Sequence, residues 1–209
     1  MLSLGIIVVT VLSQAFPGAE AQNNGATPMD KQSCIWQVSP RDNVSWETTQ
    51  HTDGVPAEGE LGSLKVITSP WDAQSTVYRL RYRFASKGHD AIMMTLRGLE
   101  IEGAQRLSVG VAGDAPQLEL FVVLEESSGE KHLVRSLTPV NWEGMKTIDF
   151  DLEPLRKAPP KHSVGPDHWE GDGNQVLDDP IVAITIGFHD RPDAWMGSGE
   201  IHVGQVRFW

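Results

Sequence analysis

Pro180-Ile-Val-Ala-Ile-Thr-Ile-Gly-Phe-His-Asp-Arg-Pro-Asp-Ala-Trp-Met-Gly-Ser-Gly-Glu-Ile-His-Val-Gly-Gln-Val-Arg-Phe-Trp209 ends the chain. Ile181 to Phe188 is a bounded, β-branched apolar run, too short for an ordinary helix and of strand length. His189 to Ser198 is turn-rich and charged, with one large aromatic, Trp195. Gly199 to Trp209 reads as a closing strand in which Ile201 and Val203 share one parity and Val206 and Phe208 the other. Side chains alternate strictly along a strand, so this slip of one residue at Gly204-Gln205 predicts a β-bulge. Two strands joined by a chemically loaded loop predict a β-sandwich with function on its rim.

Upstream the same grammar repeats. Thr76 to Phe84 alternates most clearly, with Tyr78, Leu80, Tyr82 and Phe84 on one face and Arg79, Arg81 and Arg83 on the other. Further strands are predicted around Cys34–Val38, Val44–Thr48, Leu61–Thr68, Ile92–Arg97, Arg106–Ala112, Gln117–Glu125, Lys131–Leu137 and Lys146–Leu152. Glu126-Ser-Ser-Gly-Glu130 carries a hairpin signal. Leu155 to Asp179 is a long Pro-, Gly- and charge-rich excursion with room for one helical turn, of the kind that is functional or mobile. No stretch keeps a helical period over three turns. Many short strands with turns between them predict an all-β, antiparallel sandwich of jelly-roll type. The inward set is expected to include Leu80, Tyr82, Leu107, Val109, Leu120, Val122, Ile148, Phe150, Ile184, Ile186 and Ile201.

Residues 1–21 read as a signal peptide: an apolar Leu2–Phe16 followed by Ala19-Glu-Ala21 before Gln22. The apolar stretch falls short of the roughly 20 residues that a spanning helix needs. Residues 22–32 read as a flexible leader and 33–209 as the sandwich domain. The expectation is therefore an exported protein, periplasmic or extracellular, without membrane insertion after cleavage. Losing Glu20 with the signal moves the net charge from -11 to -10. That acidity argues against a nucleic-acid partner, which calls for a basic face. Cys34 is the sole cysteine, which excludes an intramolecular disulfide, and it is expected as a small buried hydrophobe.

The order of features resembles a known family. Trp46, Gly62-Ser-Leu-Lys-Val66, the Tyr78–Phe84 strand, Leu107-Ser-Val-Gly-Val-Ala-Gly-Asp114, the Leu118–Leu124 strand with its Gly129 hairpin, Trp142, Thr147-Ile-Asp-Phe-Asp-Leu152, Ile184-Thr-Ile-Gly187 and Gly199-Glu-Ile-His-Val203 follow one another. Together they are similar to the galactose-binding-like jelly rolls that serve as carbohydrate-binding modules beside secreted polysaccharide hydrolases. The resemblance spans roughly Cys34 to Trp209. It implies binding of a polysaccharide or glycoconjugate, and a structural calcium held in part by an aspartate pair on the last strand. Gly204 and Gln205 stand at the matching positions, so no metal site and no cofactor is expected there.

Sugars stack their C–H faces on aromatic rings, which makes the seven tryptophans the first places to look. Trp36, Trp46 and Trp209 lie in or beside strands and read as packing. Trp71, Trp142, Trp169 and Trp195 lie in loops and are the binding candidates, with Asp190, Arg191 and Asp193 placed to hydrogen-bond hydroxyls around Trp195. Arg79, Arg81 and Arg83 form a one-sided ladder. Glu119, Asp149 or Asp151 could neutralise it across a sheet, or it could line a groove for an anionic sugar. Glu170-x-Asp-x-Asn174 begins like a calcium loop, but the turn glycine and the closing acid are missing, so a solvated acidic loop is expected. His189-Asp-Arg191 and Asp167-His-Trp-Glu170 offer acid–base groups without a paired-carboxylate motif, and no catalytic residue is assigned. The reading is non-catalytic glycan binding. A glycan lyase or hydrolase on the same fold, or a structural cell-surface module without a sugar ligand, are the alternatives.

Overall fold

The alternation in Thr76–Phe84 becomes β5, bounded by those two residues. Its four apolar side chains enter a core in which Leu80 is fully buried, while Arg81 stays outside. The computed structural model describes residues 33–42, 44–52, 55–56, 63–84, 90–112, 115–157, 168–190 and 197–209. The expected signal peptide and leader lie outside the described residues. No described helix is long and apolar enough to cross a membrane.

Two antiparallel sheets make the sandwich. The first runs β10 (Met145–Asp151), β7 (Arg106–Ala112), β13 (Gly197–Phe208), β5 and β4 (Leu64–Thr68), with β1 (Trp36–Val38) also on β13. The second runs β11 (His168–Trp169), β9 (Lys131–Val140), β8 (Ala115–Glu126), β12 (Ile181–Asp190), β6 (Ala91–Ile101), β2 (Glu47–Thr52) and β3 (Val55–Pro56). This is the jelly-roll-type sandwich expected, and the closing strands β12 and β13 sit at the centre, one in each sheet. The expected inward residues form a single core. The exception is Ile148, only half-buried because β10 is an edge strand with one neighbour. Each fully buried Leu, Ile or Phe contributes about 1.5–3 kcal/mol, so the paired inner faces dominate stability.

The predicted bulge is present. Val203 faces Val111 and Val206 faces Val109, so Gly204 and Gln205 together oppose Gly110. A Cβ on Gly110 would lie 3.3 Å from the Gln205 amide nitrogen, which is why a glycine accommodates the close approach there.

Two expectations are corrected. Cys34 is exposed, because β1 begins beyond it at the sheet edge. Its Sγ reaches only the Trp36 carbonyl, at 3.4 Å. Arg79 and Arg81 of the arginine ladder are neutralised by Glu200 of the neighbouring β13, not by Glu119, Asp149 or Asp151. Glu200 Oε1 lies 2.7 Å from Arg81 Nε and 3.8 Å from Arg79 Nη1. Asp149 instead accepts a 2.5 Å hydrogen bond from Ser108. The one helical turn for which the Leu155–Asp179 excursion has room is the 3-10 turn at Glu153–Arg156, and Arg156 donates to the carbonyls of Ala104 and Leu177 and to Asp179 Oδ1.

Candidate functional site

Trp71 stands in the loop between β4 and β5 and is 43% exposed. The loop is short and internally bonded. Ser69 N–H donates to the Ser75 carbonyl at 2.9 Å, Ser75 N–H to the Asp72 carbonyl at 3.1 Å, and Gln74 N–H to Asp72 Oδ1 at 2.9 Å. The Trp71 amide itself donates to Ser69 Oγ at 3.3 Å. Asp and Ser side chains favour such turns because they satisfy the backbone locally. Trp71 is thereby held out from the sheet with its ring resting edge-on against His202 of β13, centroids 5.1 Å apart.

Two open clefts meet at this ring. One, about 450 Å³, lies between Trp71 and Trp142 and is completed by Pro116, Asn141, Glu143 and Gly144. The other, about 440 Å³, runs from Trp71 over Met145 and the Gly204-Gln205 bulge towards Arg41 and Asp72. Each is of the size of an ordinary small-ligand site. Gly144 lines the first cleft and Gly204 the second. A Cβ on Gly144 would approach the Trp71 ring at 3.8 Å, and one on Gly204 would meet Met145 Sδ at 3.4 Å. Trp142 is a wall, not a second platform. Its Nε1 donates to the Val111 carbonyl at 3.1 Å, its ring packs on the core, and Lys146 Nζ lies 5.3 Å over it.

His202, beneath Trp71, has its pKa lowered. Burial is the main cause, and Arg79 adds to it against the opposing pull of Glu200. Burial disfavours the charged imidazolium, so the support under Trp71 is a neutral ring. Glu200 is held below the usual carboxylate range chiefly by the Arg81 hydrogen bond.

The structure thus brings Trp71 and Trp142 to one cleft and buries Asp190. Asp190 is 1% exposed and its Oδ1 accepts the Asp90 N–H at 3.1 Å. It knits β12 to the start of β6, and a carboxylate so buried is not placed for the surface hydroxyl-binding role expected of it. Arg191, Asp193 and Trp195 lie outside the described residues. Trp169 is placed by its backbone alone, opposite Lys131. His189 faces outward on the second sheet, its Nε2 3.7 Å from Glu119 Oε2. The polar groups of the Trp71 clefts, Arg41, Asp72, Asn141, Glu143 and Gln205, were missed in the sequence, because only the loop's turn residues and the bulge hint at their convergence.

No protein-family model matches the sequence, and no curated protein does. Solved structures do match. A family 11 carbohydrate-binding module from Clostridium thermocellum, in complex with a β-1,3-1,4-mixed-linked tetrasaccharide, aligns at TM-score 0.53 and 16% identity, over 84% of this chain and 96% of that one. The family 11 module of the cellulosomal cellulase Lic26A-Cel5E of Clostridium thermocellum aligns at TM-score 0.54 and 15% identity, over 84% and 95%. The chain has the fold of these modules. The module fold carries no function with it by itself. The structural calcium that the sequence resemblance implies on the last strand does not fit here. Gly204 and Gln205 bring no carboxylate, and Met145 packs over Gly204.

Proposed function

We propose that this protein binds a neutral polysaccharide chain along the two clefts that meet at Trp71, without cleaving it. The observation that carries the proposal is Trp71 itself. A large aromatic is left exposed, yet its loop is bonded into one conformation and its ring is braced by His202. A platform ordered in advance loses little entropy when a sugar stacks on it. Open clefts on both sides suit an extended chain passing over the ring, and Arg41, Asp72, Asn141 and Gln205 supply donors and acceptors for hydroxyls. The fold shared with carbohydrate-binding modules supports the reading. Neutrality of the glycan follows from charge. The chain carries -11, and Arg79 and Arg81 are already engaged by Glu200, so a polyanion would meet repulsion. Arg191, Asp193 and Trp195 belong to the proposal as further contacts, tested by the same substitutions to Ala, whereas Trp169, opposite Lys131 at the other end of β9, does not.

Affinity electrophoresis across neutral glycans, starting with mixed-linked β-1,3-1,4-glucan, tests it. The wild type should be retarded and should release no reducing ends. Trp71→Ala should weaken binding by about 1–3 kcal/mol, the range for losing one aromatic stacking contact, with the melting temperature nearly unchanged. Trp142→Ala, by contrast, should lower stability, since it removes a core contact and the Val111 hydrogen bond. Undiminished binding by Trp71→Ala would refute the assignment.

A further inference from the structure

Far from Trp142, at the opposite end of the β8–β9 pair, two glutamates are buried at the hairpin. Glu126 is 1% exposed and Glu130 is fully buried. The turn folds through Gly129 at φ 88, and Glu126 N–H closes it on the Glu130 carbonyl at 3.1 Å. The loop after β11 lies across this hairpin. Gly171, at φ 63, presses so closely that a Cβ there would sit 2.2 Å from the Glu130 nitrogen. That contact brings in Asp172, and one carboxylate oxygen from each of Glu126, Glu130 and Asp172 lies within 4.8 Å of the others.

The two buried acids are not satisfied alike. Glu126 Oε1 accepts from Ser128 Oγ and its Oε2 from Asp178 N–H, with His132 Nε2 3.6 Å away. Glu130 Oε1 accepts the Gln175 N–H at 3.1 Å, whereas its Oε2 is buried without a hydrogen-bond partner. Burying a carboxylate oxygen in that state costs several kcal/mol unless a cation meets it. Three carboxylates converging on one point are hard oxygen donors. Two oxygens on one Ca²⁺, each about 2.3–2.6 Å from it, can be no more than roughly 5 Å apart. The observed spacing fits.

We infer that Glu126, Glu130 and Asp172 form a calcium site that fastens the 170–178 loop to the β8–β9 hairpin. Glu130 Oε2 is its buried anchor, Asp172 closes it from the solvent side, and water completes the coordination. The inference is independent of the glycan reading, because it concerns a different end of the sandwich.

Melting of the full chain, stripped with EDTA and then scanned with and without millimolar CaCl₂ at constant ionic strength, tests it. The wild type should gain several degrees, and titration calorimetry should find one site per chain. Asp172 is exposed, so Asp172→Asn should leave the calcium-free melting temperature almost unmoved while weakening calcium binding roughly tenfold or more. Glu130→Gln should abolish the calcium response. Absence of a calcium shift in the wild type would overturn the site. So would an equal shift in wild type and both variants, which would put the ion elsewhere. A wild type that ignores calcium but is stabilised by acid would show instead that the two glutamates share a proton.

Discussion

His202 connects stability to pH through one side chain. It is 13% exposed, faces Trp71, and lies 4.0 Å from Glu200 with Arg79 nearby. Burial holds its folded pKa below the ordinary histidine value of about 6.5. As pH falls through 6.5, the unfolded chain takes up a proton that the folded protein resists, so folding stability declines until the folded pKa is reached. Denaturant melts between pH 7.5 and 5.5 should show this loss in the wild type and less of it in His202→Gln. An identical pH slope in both would mean that His202 is not a source of the dependence. The same residue couples stability to the site, since a protonated ring would disturb the brace under Trp71.

Among elements, the loop after β11 shows most plainly what packing adds to sequence. Asp172 reads as one acid in a solvated run, and nothing in Glu126-Ser-Ser-Gly-Glu130 beyond a turn announces a partner 45 residues away at Gln175. The contact of Gly171 with the Glu130 backbone joins them, together with the Gln175 and Asp178 amides that donate to Glu130 and Glu126. Gly171→Ala would need both a left-handed backbone, costly for any residue with a Cβ, and space that the hairpin fills. We expect a loss of about 1–3 kcal/mol, with the loop becoming sensitive to limited proteolysis. A stable, protease-resistant variant would contradict the docked arrangement. The strands β5, β7 and β13 were by contrast legible at once, because their inward residues obey a period of two and the bulge betrays itself as a change of parity. Their partners were not. The register that sets Glu200 opposite Arg81 depends on which strands become neighbours, and that is a property of the whole sandwich.

For the whole molecule, the sandwich is a rigid support that leaves its chemistry to loops and edges. Its jelly-roll class could be read from strand spacing and turn signals, and so could the candidacy of Trp71 and Trp142. Their meeting in one place could not, since it requires the β4–β5 loop to fold back over His202 and the β9–β10 connection to lie against β7. Cys34 shows the converse failure. Burial habit assigns a cysteine to the core, but a residue just before an edge strand has nothing above it. The central claim is that a glycan passes over Trp71, and ¹H–¹⁵N NMR titration tests it most directly. Adding the oligosaccharide of whichever glycan retards the protein should move the Trp71 indole signal and the backbone amides of Gly144 and Gln205, while the buried Trp46 indole stays still. Binding that leaves Trp71 unmoved and shifts Thr95 and Thr185 on the second sheet would contradict the account.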